Sequence, residues 1–141
     1  MDRQDLVKVY NTVLRPAVEY SSVVYHSLIP QHISDKLETI QKQAYKIMFG
    51  HGINYGEIVE NGTVELLSDR REEAILRFAT RAAATSRFGD KWFRRREETE
   101  REVRTSTRRP YKEKFCRTNR MKNNPIQYMT RKLNEKYLEA S

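Results

Sequence analysis

Residues 34–49, SDKLETIQKQAYKIMF, carry the clearest helical pattern of the chain. Apolar side chains recur here every three or four residues, which puts them on one face of an α-helix: Leu37, Ile40, Ala44, Ile47 and Met48. Asp35, followed three residues later by Glu38, is a variant of the capping box and predicts the helix start. Gly50 and Gly52 predict its end, because glycine adopts the left-handed cap conformation at little cost.

The preceding segment, residues 5–28, has the same periodicity and predicts a first helix. Pro16 predicts a kink or break near Leu14–Arg15, because proline removes a backbone donor and clashes with the turn before it. The expected apolar stripe is formed by Leu6, Val9, Tyr10, Val13, Leu14, Ala17 and Val18, and Val24, Tyr25 and Leu28 continue it.

Residues 68–86 predict a third helix, which Ser68 or Asp69 would cap. Its expected buried stripe is formed by Ile75, Phe78, Ala79, Ala82 and Ala83. A short helical turn is expected near residues 55–59. The aromatic residues Phe88, Trp92 and Phe93 are expected to fold back onto the bundle.

The C-terminal segment also begins with helix signals. Asn124 is a favoured N-cap, and Pro125 suits the first helical position. An apolar face follows at helical spacing: Ile126, Met129, Leu133 and Tyr137. This face either packs onto the N-terminal bundle or docks so that the preceding residues close over a nucleic acid.

These patterns predict an all-α protein, since no segment has a convincing strand pattern. The predicted organisation is a small helical bundle over residues 5–93, a basic arm over 94–124, and an amphipathic helix over 125–141.

Almost all of the excess positive charge lies in the basic arm. Residues 1–93 carry 12 basic and 12 acidic side chains, whereas residues 94–124 carry 12 basic and 5 acidic ones. Localised positive charge is typical of a segment that binds a polyanion, although a solvated tail is the plainer alternative. No stretch approaches the roughly 18–20 apolar residues of a membrane span, and the arm lacks an amphipathic apolar face, so no membrane partner is expected.

The composition of the arm favours RNA, DNA or their hybrid as the partner. Cations bind phosphates, and exposed aromatic rings stack on unpaired bases. The candidate nucleic-acid-binding residues are Arg94, Arg95, Arg96, Arg108, Arg109, Tyr111, Lys112, Lys114, Phe115, Arg117, Arg120 and Lys122. The two rings, Tyr111 and Phe115, pack on the bundle in the alternative interpretation.

Catalytic and cofactor motifs are missing from the sequence. His26, His32 and His51 have no second ligand at metal-binding spacing, and Cys116 has no histidine base near it. We therefore expect no enzyme activity, cofactor or metal. The single cysteine and the charged N-terminus favour an intracellular protein, nuclear or cytoplasmic.

Four blocks of the chain, in order, are similar to a known family. They are LVKVYNTVLRPAVEYSSVVYH, SDKLETIQKQAYKIMFG, LLSDRREEAILRFA and RTNRMKNNPIQYMTRKLN. The order resembles the C-terminal part of non-LTR (LINE-type) retrotransposon reverse transcriptases, from about Leu6 to Asn134. The residues that carry the resemblance include Tyr10, Arg15, Pro16, Glu19, His26, Gln41, Gly50, Arg70, Arg71, Cys116, Pro125, Tyr128 and Asn134.

The resemblance implies the helical thumb of the polymerase, which grips the template–product duplex, and the tail after it. The chain departs from the family at Ser22, Tyr25 and Gln127. The metal-binding aspartates of the polymerase palm, its Tyr-x-Asp-Asp turn and an endonuclease domain are absent from these residues. Since two-metal phosphoryl transfer needs such carboxylates, no polymerisation is expected. The chain then looks like a truncated element, a gene-model fragment or a domesticated remnant beginning at Met1.

Two functions remain open at this point. One is a non-catalytic nucleic-acid-binding fragment whose basic arm holds the phosphate backbone. The other is a helical protein-interaction fragment, in which residues 126–138 dock on a protein partner, or a retroelement remnant without function.

Overall fold

The computed structural model describes residues 2–50, 52, 54–61, 64–96 and 109–140, and helices dominate them. The all-α prediction is confirmed. In chain order the helices are α1 (Arg3–Val9), a π-helical turn (Tyr10–Leu14), α2 (Arg15–Glu19), α3 (Ser22–Tyr25), α4 (Gln31–Phe49), α5 (Tyr55–Glu60), α6 (Leu67–Ala84), α7 (Ser86–Trp92), α8 (Asn119–Lys122) and α9 (Pro125–Glu139). Within the described ranges, the only strand-like pairing is an isolated antiparallel bridge between Arg95 and Tyr111.

The described residues cluster into two compact units. The first unit contains those of Met1–Ser22 and Ile29–Glu72, and the second contains those of Val23–Leu28 and Glu73–Ser141. α6 contributes its first residues to the first unit and the remainder to the second. The sequence-based boundaries at residues 93 and 124 stay predictions.

The first helical region, predicted over residues 5–28 with a kink or break near Leu14–Arg15, is interrupted at two places. Ahead of Pro16 the chain forms the π-helical turn, in which the Arg15 N–H donates to the Tyr10 carbonyl. The predicted disturbance is therefore a widened turn that ends at Leu14. The actual break comes later, where Ser21 takes a left-handed φ of 56° between α2 and α3. The helix therefore breaks about six residues after the predicted position.

The predicted buried stripe of this region is mostly wrong too. Val9, Val13 and Leu14 are 41%, 59% and 44% exposed, whereas Tyr10 is buried. Tyr10 is held inside by a hydrogen bond from its hydroxyl to Gln41 Oε1 at 2.6 Å. The π-helical turn has a longer period than an α-helix, so a stripe drawn at the α-helical period loses its register at Val13 and Leu14. Val9 precedes the turn, which does not explain its exposure.

α4 begins at Gln31, three residues before the predicted start, with Pro30 as its N-cap. Asp35 lies inside the helix and accepts a hydrogen bond from Gln31. Its predicted partner in the cap, Glu38, instead accepts from the Tyr55 hydroxyl and from the Leu67 N–H. The predicted capping box is therefore wrong, because Glu38 supplies an acceptor to the first turn of α6. The predicted cap of the third helix by Ser68 or Asp69 is wrong as well, because α6 begins at Leu67 and both residues lie inside it.

A polar residue lies at the centre of the buried face of α4. Gln41 is fully buried, donates to the Tyr55 hydroxyl at 2.7 Å and to the Glu65 carbonyl at 2.9 Å, and accepts from Tyr10. Ile40 and Ile47, which the sequence assigned to that face, are 43% and 71% exposed. A buried amide is stable only when its donors and acceptor are paired, and here three partners satisfy it. The predicted glycine end of α4 is confirmed, with Gly50 at a φ of 97°.

The second unit has an apolar core formed by Ile75, Ala79, Ala82, Phe93, Met129 and Leu133. The predicted stripe of α6 is confirmed at Ile75, Ala79 and Ala82, but Phe78 is 41% exposed. The C-terminal helix is confirmed: Asn124 accepts from the Ile126 N–H, and Pro125 opens α9. Since Met129 and Leu133 are core residues, α9 packs within this unit, although Tyr137 is 49% exposed.

Candidate nucleic-acid interface

The two ends of the basic arm pair with each other. Arg94–Arg96 lies antiparallel to Pro110–Lys112, and we call this pair of segments the ribbon. The Arg96 N–H donates to the Pro110 carbonyl at 2.9 Å, and the Lys112 N–H donates to the Arg94 carbonyl at 2.8 Å. Cations that are about 15 residues apart in sequence therefore become neighbours.

Side chains alternate between the two sides of such a pair. Arg95 and Tyr111 are directly opposed and project to one side. The ring of Tyr111 packs against Phe93, with centroids 6.2 Å apart, so this side faces the core. Ideal alternation places Arg94, Arg96 and Lys112 on the other side of the ribbon, where Arg94 is exposed and Arg96 and Lys112 are half-buried.

α9 holds the ribbon through the amide side chain of Asn134, which is 1% exposed. Its Oδ1 accepts from the Tyr111 N–H at 3.0 Å, and its Nδ2 donates to the Tyr111 carbonyl at 3.1 Å. About two turns earlier on the same helix face, Gln127 Oε1 accepts from the Lys114 N–H at 3.2 Å. Residues 111–114 are thereby attached to the helix at two points.

The one acidic side chain between residues 109 and 122 is Glu113, and its carboxylate is engaged. Glu113 Oε1 accepts from Asn134 Nδ2 at 2.9 Å and from Arg109 at 3.2 Å. Its negative charge is therefore directed toward α9 and Arg109. Among the described residues, Arg94, Arg95 and Arg96 have no ion-pair partner.

The two candidate stacking rings differ in their surroundings. Tyr111 is half-buried against the core, as the packing alternative expected. Phe115 is 87% exposed and lies between Lys114 and Arg117. Of these two rings, only that of Phe115 has a face that a base could reach without displacing core residues.

The remaining candidate cations lie on the surface of the same unit. Arg94, Arg95, Lys114, Arg117, Arg120 and Lys122 are exposed, whereas Arg96, Arg109 and Lys112 are half-buried. Arg108 lies outside the described residues. Thr118 caps α8, the short helix that carries Arg120 and Lys122, by accepting from the Met121 N–H.

Asn134 and Gln127 are positioning residues that sequence reasoning did not assign to the site. A signal for them exists, because amides seven residues apart share one face of a helix. That face lies beside the apolar stripe, where a buried amide needs a partner.

A second basic surface lies elsewhere on this unit. A groove of about 350 Å³ is lined by Glu73, Leu76, Arg77, Thr80, Arg81 and Lys136. Lys136 lies two residues after Asn134, about 200° around α9, so the groove and the ribbon contact different faces of that helix.

Comparisons of the chain with protein families, with curated proteins and with solved structures find no match. The described residues contain no group of three or more His, Cys, Asp and Glu side chains that could hold a metal ion. In the same ranges, no helix has the length and apolar character that crossing a membrane requires.

Proposed function

We propose that this chain is a non-catalytic nucleic-acid-binding fragment related to the thumb and tail of a non-LTR retrotransposon reverse transcriptase. The observation that supports it most is the ribbon, whose outer side carries Arg94, Arg96 and Lys112. Among residues 109–122 the only carboxylate, that of Glu113, is engaged with Arg109 and Asn134. The four sequence blocks support the relationship to the family.

The binding energy in this proposal comes mainly from phosphate contacts. Cations that replace condensed counterions make affinity fall with salt, with a slope of about −0.9 per contact on duplex DNA. Five to seven contacts from the arm would give a slope of about −4.5 to −6. A solvated tail without binding would show no affinity at low salt.

A charge-matched pair of triple variants tests the proposal. The first variant, Arg94→Gln/Arg96→Gln/Lys112→Gln, removes the three cations on the outer side of the ribbon. The control, Arg77→Gln/Arg81→Gln/Lys136→Gln, removes three cations that line the groove on the other face of α9. Both variants lower the net charge by three, and the control also removes the exposed Arg77–Glu73 ion pair, a kind of pair that contributes little to stability.

Fluorescence anisotropy with labelled RNA, DNA and hybrid, repeated across salt, gives the readout. The ribbon variant is expected to reduce the salt slope by about 3 and to weaken every ligand alike, because phosphate contacts carry no sequence information. The control is expected to bind within about twofold of the original chain. Equal losses in both variants, or no binding by the original chain at low salt, would contradict the proposal.

The absence of palm carboxylates from this sequence motivates the non-catalytic part of the proposal. Primer extension on a template–primer hybrid with magnesium is expected to give no product. A template-dependent product would contradict the proposal that the chain is non-catalytic.

The protein-docking alternative for residues 126–138 has weaker support. Met129 and Leu133 are already buried in the core, so the apolar face of α9 is largely used within its own unit. Tyr137 and Leu138 remain 49% and 43% exposed, which is a small surface for a partner.

A further inference from the structure

Phe115 is the most exposed large hydrophobic side chain in the described part of the chain, at 87%. Removing a phenylalanine ring from water is favourable, so a ring left in solvent gives up stabilisation that burial would supply. Single exposed apolar residues are common on protein surfaces, so exposure alone carries no conclusion. The backbone and the charges around Phe115 provide the additional evidence for a binding role.

The backbone beside the ring is held in place on both sides. The Lys114 N–H donates to Gln127 Oε1 at 3.2 Å, and the Cys116 thiol donates to the Lys114 carbonyl at 3.3 Å. After the ring, Thr118 caps α8. Phe115 therefore projects from a positioned segment, and a partner that stacks on the ring does not first have to order it.

Cations flank the ring along the chain. Lys114 precedes it, Arg117 follows it by two residues, and both are exposed. A nucleotide whose base lies on the ring would place its phosphates near these side chains. An exposed aromatic ring between cations is the arrangement with which single-strand-binding proteins hold a base and its backbone.

We infer that Phe115 binds an unpaired nucleobase by stacking, and that the preferred ligand of the basic arm is single-stranded nucleic acid. This inference rests on the proposed function and deepens it. The bases of a continuous duplex are already stacked on each other and offer no face to the ring. Tyr111 does not provide a second platform, because its ring packs against Phe93.

Phe115→Ala and Phe115→Trp test the inference, with Phe78→Ala as the matched control. Phe78 is a partly exposed phenylalanine of α6 in the same unit, and it lies outside the arm in sequence. The probes are short labelled single strands of RNA and DNA of mixed sequence, and blunt duplexes of the same sequence. Thermal melts of each variant check that the fold is retained.

Phe115→Ala is expected to weaken single-strand binding by about 5- to 100-fold, the range of one lost base stack. Duplex binding should stay within about twofold, and the salt slope should not change, since the ring is uncharged. Phe115→Trp should keep the single-strand affinity of the original chain, because it keeps an aromatic ring. Phe78→Ala should also leave that affinity unchanged.

Unaltered single-strand binding by Phe115→Ala would overturn the inference, and so would equal losses on single strands and duplexes. The proposed function would survive either result if the Arg94/Arg96/Lys112 variant still lowered the salt slope. If the original chain bound none of the probes, both would fail.

Discussion

Replacing Asn134 with alanine is the sharpest test of how the ribbon is held. The side chain is 1% exposed and makes three hydrogen bonds, two with the backbone of Tyr111 and one with the carboxylate of Glu113. Alanine removes all three at once and leaves an N–H, a carbonyl and a carboxylate oxygen without those partners.

The expected loss follows from these three bonds. A neutral hydrogen bond contributes about 1 kcal/mol net, and one to a charged group about 1.5–3 kcal/mol. Tyr111 and Glu113 are only partly buried, so water replaces some of what is lost. We expect Asn134→Ala to lower the free energy of unfolding of this unit by about 2–4 kcal/mol, a large part of the roughly 5–15 kcal/mol that a domain has.

Trp92 provides a local probe for this measurement. It is the single tryptophan of the chain and packs against the core of the same unit. In urea, with a slope of about 1.5 kcal/mol/M, the fluorescence midpoint should fall by about 1.3–2.7 M.

Two comparisons make the result decisive. Asn134→Asp keeps the acceptor for the Tyr111 N–H but loses both donors and faces Glu113 with a second carboxylate, so it should be no better than alanine. Asn119→Ala, at an exposed asparagine of α8, should change stability by less than about 0.5 kcal/mol. A loss below about 1 kcal/mol for Asn134→Ala would refute the reasoning that this amide holds the ribbon.

Three further outcomes are expected. Gly89→Ala should lower the free energy of unfolding by about 1–3 kcal/mol in Trp fluorescence melts, because its Cβ would lie 2.6 Å from the Ala83 carbonyl oxygen. Asn124→Ala should cost about 1 kcal/mol in the same assay through loss of the N-cap of α9. Burial raises the pKa of Tyr10 and Tyr55, so the folded chain keeps protons that the unfolded chain loses above about pH 10. This stabilisation is fully present below about pH 10 and should decline at higher pH, as followed by far-UV circular dichroism in urea.

Each of these outcomes has its own control. Gly52→Ala should be neutral, because an added Cβ meets nothing within 4 Å, and a neutral Gly89→Ala would show that the contact with α6 relaxes freely. Asn123→Ala, at the exposed neighbouring asparagine, should leave α9 intact; an equal effect at both positions would argue against capping. The double variant Tyr10→Phe/Tyr55→Phe should show a flatter alkaline decline, and an unchanged decline would assign it to other groups.

The positions of most helices could be predicted from apolar periodicity and from the residues at helix ends. Asn124 and Gly50 act locally, on N–H and carbonyl groups within one turn, so their roles are visible in the sequence. The buried faces were harder to predict, because buried polar residues occupy them. Gln41 and Arg71 are both fully buried, which no hydrophobic pattern indicates.

Arg71 shows what the missing information is. Its guanidinium donates to the Leu67 carbonyl, one turn away, and to the Ser34 hydroxyl, 37 residues away. The first partner can be guessed from helical spacing, whereas the second depends on how α4 and α6 meet.

In the candidate interface, too, local properties could be predicted from the sequence and long-range contacts could not. The composition of the arm already indicated a polyanion ligand, because charge is a property of the sequence. The ribbon could not be predicted, since it depends on the pairing of Arg95 with Tyr111 and on Asn134, 23 residues further along. The sequence also could not show that Tyr111 is packed and Phe115 exposed, because this depends on Phe93 lying against Tyr111.

The pairing of Asn134 with Tyr111 also bears on self-association. The outward N–H and carbonyl of a paired segment form an open edge to which a strand of another molecule can add. Asn134 occupies both of these groups at Tyr111, so α9 covers that edge as a neighbouring strand would. The opposite edge, at Arg95, is bordered by Arg94 and Arg96, whose like charges repel a second copy. The ribbon can therefore keep its backbone at the surface without becoming a template for aggregation.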